Sequence, residues 1–117
     1  MTASVAPPPR YNRAMADDRT LIPPSFHEVH ADARGRLRLP RAEFCARYEL
    51  CEDLAQALVE RARALRHDLG VTGADVLERI GLGLRPPASG LEEAEAAWVL
   101  TRLAELLDWL WAGRPAA

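Results

Sequence analysis

From Arg41 to Leu69 the chain repeats apolar residues at helical spacing without a break. Phe44, Tyr48, Cys51, Ala55, Leu58, Ala62, Leu65 and Leu69 step four, three, four, three along the sequence. This puts them on one face of an α-helix, and no strand pattern fits the same residues. At about 1.5 Å per residue such a helix is a rod of roughly 43 Å. A chain of 117 residues cannot surround that rod by itself, so another helix or a second copy has to clasp it. Leu50, Leu54 and Val59 widen the stripe beyond a two-position seam, which favours a globular core helix over a two-stranded coiled coil. Pro40 suits a first helical turn, and Gly70 suits the left-handed residue that closes the helix.

Two further helices follow. Thr72-Gly73-Ala74-Asp75 has the form of a capping box, with Val71 and Val76 as its hydrophobic staple, and predicts a short helix over about 73–80. Gly81 and Gly83 are expected to end it. Arg85-Pro86-Pro87-Ala88 reads as a rigid linker, and Ser89-Gly90-Leu91-Glu92 as a second capping box. The helix it opens is expected over about 90–111, stopping at Gly113. Ala96, Leu100, Leu103, Leu107 and Leu110 form its core stripe, with Val99 and Leu106 beside them.

Ahead of the long helix the pattern changes. Residues 1–20, with Pro7-Pro8-Pro9 and no apolar period, read as a disordered tail. Residues 21–40 read as an extended arm. Leu21, Ile22 and Phe26 around Pro23-Pro24 form an apolar clip, expected not to be helical through the prolines, that docks on the helical core or serves as a docking peptide. Asp32 to Arg41 alternates Arg34, Arg36 and Arg38 with Gly35, Leu37 and Leu39, which suggests an extended segment with a basic face. The predicted fold is therefore all-α: helices over about 41–69, 73–80 and 90–111 packed as a small bundle over 41–112, behind an extended or disordered N-terminal arm.

The anomaly lies on the last helix. At 100° per residue Leu91, Trp98 and Trp109 share nearly one azimuth, about 160° from the core stripe, with Arg102 and Glu105 among them. A helix with two apolar faces is covered on both. Either the arm or the flank of the long helix supplies the second cover, or this face binds a protein partner or a second copy through its tryptophans.

Composition removes several chemistries. All fifteen basic residues are arginine. The phosphate-binding lysine of a P-loop, a Schiff-base lysine and a lysine general base are thereby excluded. Residues 1–40 carry six arginines against four acids, and the remainder nine against thirteen. An acidic folded part argues against gripping nucleic-acid phosphates. Leu65 to Ile80 nevertheless has the shape of a helix-turn-helix, with Gly70 at the turn, which keeps a DNA-binding regulator as the alternative. Its second helix carries Asp75 and Glu78 against Arg79 alone.

His27 and His30 lack a second ligand pair, so no metal or other cofactor is expected. Glu49, Glu52 and Asp53 lie on a solvated edge, and no nucleophile–base arrangement stands out. Cys45 and Cys51, about 9 Å apart along one helix, do not bridge and fit a reducing compartment. No run approaches a membrane span and no signal peptide is apparent, so the expected location is cytoplasmic.

The series Ile22-Pro-Pro-Ser-Phe26, then Arg47-Tyr-Glu-Leu-Cys-Glu-Asp-Leu54, then Asp75-Val-Leu-Glu-Arg79, then Arg102-Leu-Ala-Glu-Leu-Leu107 resembles a family of short proteobacterial helical proteins. Members are often labelled an ATPase with chaperone activity. The similarity covers about Ile22 to Trp109. The chain has no GxxxxGK[ST] motif, so the resemblance implies an accessory or adaptor of a chaperone or AAA+ ATPase, not the ATPase itself. The expected function is thus a non-enzymatic, self-associating helical interaction module.

Overall fold

A computed structural model describes residues 22–109 and 111. Its described residues form four helices and no strand: α1 (Pro24–Val29), α2 (Arg41–Leu69), α3 (Gly73–Gly83) and α4 (Glu93–Leu107). The tail expected over 1–20, and Leu21, Leu110 and Gly113, lie outside the described residues. The chain forms two compact units that divide between Tyr48 and Glu49, inside α2.

The first unit contains α1, which the two prolines were expected to forbid. Pro23 stays extended (φ −69°, ψ 152°) and its carbonyl accepts from the Phe26 and His27 amides, at 3.0 and 3.2 Å. Pro24 is then the first helical residue, a position whose N–H has no intrahelical partner, so proline costs nothing there. The six-residue turn places Phe26 edge-on to His30 and Tyr48 and tilted against Phe44, with ring centroids 5.4, 5.4 and 5.6 Å away. Phe26 is fully buried by this cluster.

The basic segment expected to be extended is instead a bridged turn. Asp32 Oδ1 accepts from the Arg34 and Arg36 amides, at 2.8 and 3.0 Å, and Ala31 pairs with Leu37 across the turn. An aspartate that satisfies two amides offers the backbone an alternative to a strand.

In the second unit α2 runs to Leu69, and Gly70 takes the left-handed conformation (φ +64°) that turns the chain. Val71 and Thr72 lead into α3, where Thr72 Oγ1 accepts from the Asp75 amide at 3.1 Å. That helix continues three residues beyond Ile80, with Gly81 packed against Leu100 of α4 and Gly83 in open space as its last residue. A Cβ on Gly81 would lie 2.9 Å from Leu100 Cδ1, and one on Gly73 would lie 2.8 Å from Trp109 Cδ2. Together with fully buried Leu77 they make a seam at i, i+4 and i+8 along which α3 and α4 approach closely.

Helix α4 starts later and ends earlier than expected. Glu92, not Ser89, is its cap: the Glu95 carboxylate accepts from the Glu92 amide at 2.9 Å, and the Glu92 side chain returns the bond. Ser89 Oγ instead accepts from the Leu91 amide, at 3.1 Å. At the far end Asp108 is left-handed (φ 60°, ψ 41°), and the Trp109 amide donates back to the Ala104 carbonyl at 2.9 Å. Cys51, Ala55, Ala62, Val76, Leu77, Val99 and Leu103 are fully buried. The stripe of α2 surfaces at its end, where Leu69 is 48% exposed at the corner.

Candidate interaction surface

Two of the residues expected to face a partner, Leu91 and Trp98, are buried. Leu91 is 4% and Trp98 8% exposed, so neither offers an outward anchor. The reason is visible in Arg102, which lies about 40° around the helix from Trp98. Its guanidinium grips Glu52 of α2 through two bonds, Nε to Oε1 at 2.8 Å and Nη2 to Oε2 at 3.0 Å. That azimuth of α4 therefore looks toward α2, while Leu100, on the opposite side, looks toward α3. The last helix thus meets α3 through Leu100 and α2 through Arg102.

Trp109 departs from its expected azimuth because the helix stops before it. The left-handed Asp108 sends the indole back onto Gly73 at the start of α3, and Arg66 of α2 lies 5.1 Å over the ring. Glu105 remains exposed and stands 3.5 Å from Arg102 Nη1. In the arm, Ile22 is half-buried and Phe26 belongs to the aromatic cluster of its own unit.

Glu52 also departs from the solvated edge expected for it. Besides Arg102 it accepts from Gln56 Nε2 at 2.8 Å. Burial pushes its carboxyl up, but the hydrogen bonds from Arg102 and Gln56 and the Arg102 charge outweigh that and hold it below its ordinary range. Glu52 in turn keeps the Arg102 guanidinium protonated beyond its ordinary range.

The helix-turn-helix reading meets a plain obstacle at Gly73, Leu77 and Gly81. In that motif these positions of the second helix face the groove of DNA. Here they are the seam against Trp109 and Leu100. What α3 shows to solvent is Asp75, Glu78, Arg79 and Leu82.

That outward stripe borders an open groove of about 750 Å³, lined also by Gly81 and Arg85, by Leu100 of α4 and by Trp111. Leu82 is 59% exposed, above the 45% of Leu50 and 48% of Leu69, the other large exposed apolar side chains among the described residues. Leu100 and Trp111 are half-buried beside it. Among the described residues, the side chains of Asp75, Glu78, Arg79 and Arg85 make no ion pair. The contrast with Glu60–Arg63, paired at 3.0 Å on open helix surface, is direct.

A second hollow of about 460 Å³ lies between the end of α2 and Trp109, with Arg63, Arg66 and His67 on its wall. Its charges are already engaged: Arg63 with Glu60, His67 with Asp68 at 3.3 Å, and Arg66 with the indole. Of the two, the α3–α4 groove is the one whose charged side chains make no ion pair among the described residues.

Sequence reasoning missed Leu82 because it stands in Gly81-Leu82-Gly83, which reads as a helix breaker. Among the described residues no group of three or more His, Cys, Asp or Glu is placed to hold a metal ion. None of the helices described is long and apolar enough to cross a membrane. No protein-family model, no curated protein and no solved structure matches the chain. The site is accordingly argued from its own residues.

Proposed function

We propose that this chain is a non-enzymatic helical interaction module that docks a protein partner in the α3–α4 groove. The observation that carries the reading is Leu82, a large apolar side chain 59% exposed in the lining of a groove whose charged side chains make no ion pair among the described residues. An apolar centre with an aromatic anchor, here Trp111, inside a charged polar rim is the anatomy of a protein–protein interface. The resemblance to the chaperone-associated family favours an accessory or adaptor role beside a chaperone or AAA+ ATPase. The chain's own sequence supplies no P-loop and no lysine for hydrolysis.

The test is a photo-reactive amino acid at position 82, activated in the native host, with Glu60 on the exposed side of α2 as the control position. Protein adducts are expected at 82 and not at 60. An adduct yield at 82 no higher than at 60 would remove the groove as a docking site. The purified chain is also expected to leave ATP intact, and turnover above a buffer blank would contradict the non-enzymatic reading.

A further inference from the structure

We infer that the occupant of the α3–α4 groove is a second copy of this chain, seated with its α3 antiparallel to the first. The inference rests on the docking reading above and names its partner. What points to a second copy is the order of charges along the groove. Asp75 lies near the N-terminal end of α3, Glu78 and Arg79 in its middle, Leu82 near its C-terminal end, and Arg85 just beyond the C-cap residue Leu84.

A twofold interface sets each patch against itself turned around, so it needs a surface complementary to its own inverted image. This rim has that property. It carries two acids and two arginines, so it has no net charge with which to repel another copy. Antiparallel apposition about a point near Ile80 sets Asp75 against Arg85 of the other copy at both ends. About that point Glu78 falls opposite Leu82 of the other copy and Arg79 opposite its Gly81. Leu82, Leu100 and Trp111 then lose water between the two helices, and the two helix dipoles run in opposite directions.

A partner of one charge sign would be repelled by half of this rim. Among the described residues none of the four charges makes an ion pair, which leaves them for the contact.

Charge reversal tests the pairing. By sedimentation equilibrium the wild-type chain should rise with concentration from its single-chain mass of 12.9 kDa toward twice that value. Asp75→Arg places like charges opposite Arg85 of the other copy, and Arg85→Asp does the same opposite Asp75. Each variant alone should associate at least tenfold more weakly, with helical circular dichroism unchanged because both sites are exposed. An equimolar mixture of the two should recover wild-type association, since each supplies the charge the other now needs.

A wild-type chain that keeps its single-chain mass throughout would overturn the inference, as would a mixture no better than its components. Adducts at position 82 to a different protein, beside a monomeric chain, would overturn the second copy while the docking reading stands. No adducts at position 82 would end both.

Discussion

The two sides of α3 are built on opposite rules. The inner side, Gly73, Leu77 and Gly81, is closed: two glycines admit Trp109 and Leu100, and Leu77 is fully buried between them. The outer side, Asp75, Glu78, Arg79 and Leu82, is left open, with an exposed leucine and charges that make no ion pair among the described residues. Both faces belong to one helix of eleven residues. The inner side is specified by the absence of side chains and the outer by their presence. A helix whose buried face is already closed does not need Leu82 for its fold, and that is why the exposed leucine points to a role outside it.

Substitutions of Leu77 and Gly73 on the inner side should cost stability and those on the outer side should not. Leu77→Ala should have the largest effect, about 3 kcal/mol, through the cavity it leaves in a fully buried site. Chemical denaturation measures it, and a loss below about 1 kcal/mol would mean the seam is loosely packed.

Glu52→Gln should cost roughly 1–2 kcal/mol, because it breaks a bidentate pair that is only partly screened by solvent. The folded-state carboxyl titrates lower than an unfolded one. Its contribution is therefore complete above the ordinary carboxylate range and is lost as pH falls through the folded value. The gap between wild type and variant should close in acid. A gap that widened there would reverse the assignment.

The two glycines separate more finely. Gly73→Ala should cost about 1 kcal/mol, since the new methyl meets three atoms of a stiff indole. At Gly81 the contact is the tip of Leu100, which can rotate away, and alanine gains helix propensity. Gly81→Ala should thus fall within about 0.5 kcal/mol of wild type, on either side. Equal penalties at the two sites would remove the distinction. On the outer side, Leu82→Asp should leave the thermal midpoint within the range of ordinary surface changes, about 0.5 kcal/mol, while weakening association.

Much of this architecture is legible without coordinates. The unbroken period of α2 marks its span of Arg41–Leu69, because nothing but a helix face satisfies seven such steps. Thr72 is readable as a cap because its chemistry is local. Elements decided by tertiary contact are not readable in the same way. The Pro23-Pro24 pair appears to bar a helix until its second proline is seen as the first helical residue. Gly81 and Gly83 read as a stop because nothing in sequence announces Leu100 leaning on one of them. Leu91 precedes the cap of α4 and so shares no helical azimuth with Trp98, and one helix period cannot say that Trp98 is buried within its own chain. Glu52 and Arg102 stand fifty residues apart, and no local spacing joins them. Leu82 was hidden by the glycines flanking it.

Hydroxyl-radical footprinting of the unmodified chain tests the account most directly, because it reads Leu82, Leu50 and Leu69 in one experiment. In the dilute chain all three should react. Under associating conditions Leu82 should lose most of its reactivity while Leu50 and Leu69 keep theirs. Equal reactivity of Leu82 in both states would contradict the groove as the docking surface.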